Sequence, residues 1–178
     1  AEMSTPYGFV DQQVMFCSDC NHLFLRSVLD AQQIYSNYLT SSISSRGAVV
    51  CLENFVSFIE NSVDNLSSSS VIDIGGNDST FLEYFSGRVK ELINIDANAT
   101  TKNPVIQVRK CFLENVDFSE FDSDAPQIFA SSHTIEHLEQ PILLLENLSK
   151  VIRSNDLLYL QFPSMEMLVQ QRRFDQIC

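Results

Sequence analysis

Hydrophobic positions change their period part-way along the chain. From residue 47 to 63 they recur at helical spacing, with Val49, Leu52, Phe55, Val56, Ile59 and Val63 on one stripe, which predicts an amphipathic helix. Beyond residue 70 they come in short blocks. Blocks at 71–74, 92–95, 105–108, 127–131 and 157–162 predict strands, and segments 80–85 and 141–152 predict helices. The later helix has Pro141 in its first turn and Leu144, Leu145, Leu148, Val151 and Ile152 on one face. Residues 98–103 are short for a crossover helix, so an irregular connection is expected there. Strands alternating with helices imply an α/β fold with a mainly parallel, doubly wound sheet and helices on both faces. A ligand then sits at the carboxyl ends of the strands, at the switch point of the strand order.

The first part of the chain has another texture. Short β-like runs at 13–16 and 23–25 flank Cys17 and Cys20, 30–38 reads as a short helix, and 41–46 is a serine-rich loop. The expected division is an N-terminal extension over 1–29, a helical linker and lid segment over 30–66, and the main domain over 67–178.

Composition narrows the class. A chain of 178 residues fits one main domain. With 44% hydrophobic and 19% charged residues it can bury a core. A net charge of −12 repels phosphate backbones, and the basic pairs Arg109–Lys110 and Arg172–Arg173 are too small to offset it, so nucleic acid is not expected as a partner. No apolar run approaches the ~20 residues of a membrane span. Five cysteines, an odd number and mostly scattered, do not form a secreted disulfide framework, so the expected compartment is the cytoplasm.

The densest chemistry lies at the end of the first block. Val71, Ile72, Asp73 and Ile74 run into Gly75, Gly76, Asn77, Asp78 and Ser79, and the next block ends on Asp96 and Ala97. In a βαβ unit, such a turn brings backbone N–H groups close to a ligand, and an acid ~20 residues further on reaches a ribose. Glycines at 75 and 76 tolerate positive φ and lack a Cβ, so a ligand can lie against the backbone. This is not the G-x-G-x-x-G pattern of a pyrophosphate site. Asp73 and Asp78 flank the turn and suit a cationic ligand.

The segment resembles motif I of the class I S-adenosylmethionine-dependent methyltransferases, whose sheet is Rossmann-like. The resemblance implies S-adenosylmethionine as cofactor and S-adenosylhomocysteine as its product. Asp73 would lie near the methionine ammonium, Gly75, Gly76, Asn77 and Asp78 would pass under the cofactor, and Asp96 with Ala97 would meet the ribose. Phe112 and Leu113 stand where such enzymes often sandwich the adenine. Ser131, Ser132 and His133 stand at the end of the fourth strand, facing the methyl group. A histidine with a pKa near neutrality suits a general base, so His133 is the candidate catalytic residue. For His133 a hydrogen bond within the loop is an equally open role. The spacing of His133, Glu136 and His137 also offers three metal ligands on one turn, but Glu136 and His137 read as structural rather than as ligands.

Further segments resemble the nucleotide-sugar C-methyltransferases. Cys17 to Phe24 is similar to the second half of their zinc module, and Cys17 and Cys20 have the spacing of half a zinc site. Segments 34–45, 132–141 and 174–177 are similar to their linker, their Asn-His-x-x-Glu-His segment and the approach to their active-site histidines. The departures are as informative. The first cysteine pair is missing, Thr40 stands where an aromatic is frequent, and Ser79 replaces a glycine, which requires a φ that is not positive there. Position 178 falls where the family's catalytic histidines would begin, so this chain is expected to hold the cofactor half of the machine. Three functions follow: methyl transfer to a small-molecule acceptor such as a nucleotide-linked sugar, cofactor binding without turnover, or metabolite O-methylation with His133 as base. An apolar block at 157–162 ending the sheet implies an edge covered by 164–178 or by a second copy of the chain.

Overall fold

The computed structural model describes residues 13–27, 45–121 and 123–172. They belong to two units, Ala1–Asp30 with Pro163–Cys178, and Ala31–Phe162. The first unit holds an antiparallel hairpin of β1 (Val14–Phe16) and β2 (Leu23–Leu25). Its turn is closed by Cys17 N–H donating to the His22 carbonyl (2.9 Å) and by Asn21 at φ 58°. The first unit also includes a helix at Met165–Gln171, capped by the Ser164 hydroxyl. The expected helix at 30–38 and the segments at 34–44 and 174–177 lie outside the described residues.

The second unit carries the sheet. Strands β3 (Ser70–Ile74), β4 (Glu91–Ile95), β5 (Ile106–Arg109), β6 (Gln127–Ser132) and β7 (Leu157–Gln161) lie in the order β5-β4-β3-β6-β7, every neighbour parallel. This is the doubly wound α/β sheet that the alternation predicts, and its order reverses between β3 and β6. Period-two alternation sends successive side chains to opposite faces. Val71, Leu92, Ile106, Ile128 and Ala130 pack with Leu52, Phe55, Val56 and Ile59 of α1 (Arg46–Ser62) and with Phe81 and Phe85. Ile72, Ile74, Ile93, Ile95 and Phe129 pack on the other face with Phe118, Phe121 and with Leu144 and Leu148 of the helix Pro141–Ser149.

Element ends differ from the sequence expectation for a local reason. The helix expected at 80–85 is α2 (Thr80–Glu83), because Tyr84 and Phe85 N–H turn back to the carbonyls of Phe81 and Leu82. The later helix, α3 (Pro141–Ser149), closes in the same way, with Lys150 and Val151 donating to Asn147 and Leu148. Such three-residue closures tighten helix ends. Among the described residues no α-helix forms between β4 and β5 or between β5 and β6; short 3₁₀ turns at Leu113–Asn115 and Phe118–Phe121 bury Leu113, Phe118 and Phe121 instead. The start of β6 is fixed by Asp156, whose carboxylate accepts from Gln127 N (2.8 Å), Arg153 N (2.8 Å) and Arg153 Nε (3.0 Å). Strand β7 lies at the sheet edge, with Leu157 and Leu158 exposed.

Candidate functional site

The turn from β3 into α2 lies at the point where the strand order reverses. Gly75 has φ 84° and donates its N–H to the Ile95 carbonyl (2.8 Å), which ties the turn to the end of β4. A Cβ on Gly75 would run into the Thr134 side chain. Gly76 is needed for space rather than for φ, since only Gly75 of the pair has positive φ. A Cβ there would stand 2.5 Å from Asn94 Oδ1 and 2.6 Å from Asp73 Oδ2.

Ser79 corrects an expectation. Its φ is 61°, the left-handed value that its serine was expected to avoid. The conformation is supported by two hydrogen bonds at its hydroxyl, which accepts from Asn94 Nδ2 (2.7 Å) and donates to the Thr100 carbonyl (2.7 Å). Asn94 Nδ2 also reaches the Asn77 carbonyl (3.0 Å), and Asn77 itself sits at φ 41°. Asn94 is fully buried, and among the described residues its Oδ1 has no hydrogen-bond partner.

Three carboxylates converge here. Asp73 is 4% exposed and, among the described residues, makes no side-chain hydrogen bond or ion pair. Burial first, then the charges of Asp96 and Asp78, push its carboxyl up to about 8. Asp96 accepts from Asn77 N (3.3 Å) and from Asn98 N (2.6 Å), so its carboxylate is held by the two loops it joins. Asp78 accepts from Thr80 N (3.2 Å) at the start of α2. Ala97 follows Asp96 in the same turn and is half-buried. Leu113 is buried in the core, while Phe112 beside it keeps accessible surface.

The end of β6 completes the surroundings. Ser131 Oγ donates to the Ile74 carbonyl (2.8 Å), and Ser132 Oγ donates to Gln161 Oε1 (2.7 Å), so both hydroxyls tie β6 to its neighbours. His133 has φ 52° and donates its N–H to the Gln161 carbonyl (2.8 Å). Its Nδ1 lies 3.4 Å from Glu136 Oε1 and its Nε2 3.8 Å from Cys51 Sγ. The Glu136 hydrogen bond outweighs burial and, with Cys51, raises the imidazole to about 9. This departs from the near-neutral value expected of a base: at neutral pH the ring is a cation and accepts no proton. His137 is shifted the other way, mainly by burial.

A family model described as a methyltransferase domain matches residues 52–177. The chain belongs to that family. Its methyltransferase domain is of the S-adenosylmethionine-dependent class, as motif I and the sheet order imply. No curated protein matches the chain. The cofactor has an ammonium and a sulfonium but no phosphate, and the turn fits such a group. Asp73 is a buried acid close to two further acids, the bare Cα of Gly76 lets the turn lie against Asp73 and Asn94, and among the described residues Asn94 Oδ1 has no hydrogen-bond partner.

Among the described residues, no group of three or more potential metal ligands forms, either at His133, Glu136 and His137 or at Cys17 and Cys20. Backbone hydrogen bonds across the knuckle, first from Cys20 and then from Asp19, lower the Cys17 thiol. Sequence reasoning missed Asn94, Thr134 and Cys51. Asn94 had a signal, a polar residue inside an otherwise apolar strand. Cys51 lies on the helix predicted at 47–63, and only the packing of α1 on the sheet brings it to His133.

Proposed function

We propose that the chain binds S-adenosylmethionine at the turn after β3 and transfers its methyl group to a small-molecule acceptor, a nucleotide-linked sugar being the favoured class. The observation that carries the reading is the trio Asp73, Asp78 and Asp96 around a glycine turn, with Asp73 buried and, among the described residues, without a side-chain hydrogen bond. Burial and the neighbouring acids disfavour the ionised form of Asp73, and a bound cation would favour it. Asp73 would attract the ammonium, Asp96 the ribose hydroxyls, Gly75 and Gly76 would pass beneath, and Phe112 would offer an apolar contact to the adenine. The cofactor supplies an electrophilic methyl group. The protein's own part is to align the acceptor and to keep water from the reacting centre.

The sugar class is supported by the resemblance of the Cys17 knuckle and of 132–141 to the nucleotide-sugar C-methyltransferases. The raised pKa of His133 favours a cationic contact to an acceptor oxygen over a base, which weighs against O-methylation with His133 as base. The edge position of β7 in the sheet order, with Leu157 and Leu158 exposed, supports pairing with a second chain. The test is incubation with methyl-labelled S-adenosylmethionine and a nucleotide-linked keto-sugar. Label on a sugar carbon is the expected result. Cofactor binding without any labelled product would favour the binding-only reading.

A further inference from the structure

Cys51, His133 and Glu136 form a line at the carboxyl end of β6, outside the glycine turn. The thiol of Cys51 lies 3.8 Å from Nε2, and Nδ1 of the same ring lies 3.4 Å from Glu136. The ring is set in place by the left-handed backbone of His133 and its N–H bond to the Gln161 carbonyl. One turn along α1 from Cys51, Asn54, Phe55 and Phe58 line a cavity of 340 Å³, whose other wall is Leu160, Gln161 and Phe162. Gln161 is thus common to the cavity wall and to the histidine loop. That volume is within the range of small-molecule sites, and the lining is mostly apolar with two amide side chains.

A thiol facing an imidazole whose far nitrogen is held by a carboxylate is the arrangement that activates sulfur as a nucleophile. The contrast within the chain is Cys111, whose thiol is pushed up by burial and by Glu120 and Asp96. We propose that Cys51 is a nucleophilic thiol that forms covalent adducts with small α,β-unsaturated carbonyl compounds taken up by this cavity, with His133 as its proton partner and Glu136 as the positioning residue. In the step, sulfur bonds to the β-carbon and the C=C π pair moves to the α-carbon, which takes the Nε2 proton of the imidazolium. The thiol proton then replaces it on the ring. The product is a saturated thioether, with no oxidant or reductant required.

The experiment is a short pulse of N-ethylmaleimide on the full chain, with labelling of each cysteine followed by peptide mass spectrometry. Cys51 is expected to react about tenfold faster than Cys111. His133→Gln and Glu136→Gln should each bring the ratio of the two rates close to one while leaving the Cys111 rate unchanged, and added imidazole should restore labelling in His133→Gln. A wild-type Cys51 no faster than Cys111 would overturn the proposal, as would a ratio unchanged in both variants. Unfolding of one variant would show as faster Cys111 labelling, and the wild-type ratio and the other variant then decide. The pulse needs no cofactor, so its failure leaves the cofactor reading untouched.

Discussion

Asn94 holds Ser79: its Nδ2 donates to the serine hydroxyl at 2.7 Å, from a fully buried position on the neighbouring strand. The serine stands at φ 61°, and its hydroxyl passes the hydrogen bond on to the Thr100 carbonyl. The left-handed backbone costs a residue other than glycine roughly 1–2 kcal/mol. Each hydrogen bond returns roughly 1 kcal/mol. Ser79→Ala, which keeps the strain and loses both bonds, should therefore destabilise by about 2 kcal/mol. Ser79→Gly, which loses the bonds but also the strain, should cost less. Denaturant unfolding of both variants gives the order; an alanine variant more stable than the glycine variant would contradict the account.

Gly76 has no room for a methyl group. Its Cβ would stand within 2.6 Å of both Asn94 Oδ1 and Asp73 Oδ2, well inside van der Waals contact. Gly76→Ala should push the Asp73 carboxylate aside and weaken S-adenosylhomocysteine binding about tenfold or more. Titration of wild type and variant at one pH checks this.

Asp73 makes the site pH-dependent. Its folded pKa of about 8 lies above its ordinary value of 3.8, so between these values the folded chain holds more protons than the unfolded one. Stability from this group is therefore highest in acid and declines as pH rises through the window. Affinity for a ligand carrying an ammonium should move oppositely, rising with pH as the carboxyl ionises. Asp73→Asn should raise the stability of the ligand-free chain near neutral pH by about 1–3 kcal/mol, while weakening cofactor binding and flattening its pH profile. Thermal melts and titrations across pH check both halves.

Asp156 is the structural counterpart. Burial would raise its pKa, but hydrogen bonds from the Arg153 side chain and backbone and from Gln127 N outweigh it, and the pKa is lowered. Its contribution is present above the ordinary carboxylate range and is lost as pH falls through its folded value. Asp156→Ala removes the acceptor of Gln127 N and the carboxylate contacts of Arg153 and should cost about 2–4 kcal/mol in denaturant unfolding near neutral pH, with a smaller difference in acid.

The sheet was legible because short apolar blocks and helical stripes are local signals, and β3 to β7 all stand out as apolar runs. The acids and glycines of the turn were legible for the same reason, being contiguous at the end of β3. What escaped depends on tertiary geometry. Whether Gly76 serves φ or space is decided by Asn94 on the next strand, and the tolerance of Ser79 by the same residue. The state of His133 is decided by Glu136 and Cys51, the latter 82 positions away in sequence. Helix ends were misplaced because three-residue closures after Glu83 and Ser149 leave the hydrophobic spacing unchanged.

The most direct measurement of the central claim, an acid-lined glycine turn that holds a cationic cofactor, is calorimetric titration of the chain with S-adenosylhomocysteine, with Asp96→Ala as the comparison. Saturable binding by the wild type, weakened about tenfold or more in Asp96→Ala, is the predicted result. A well-folded wild type that takes up no heat of binding, or an Asp96→Ala chain that binds equally well, would contradict it.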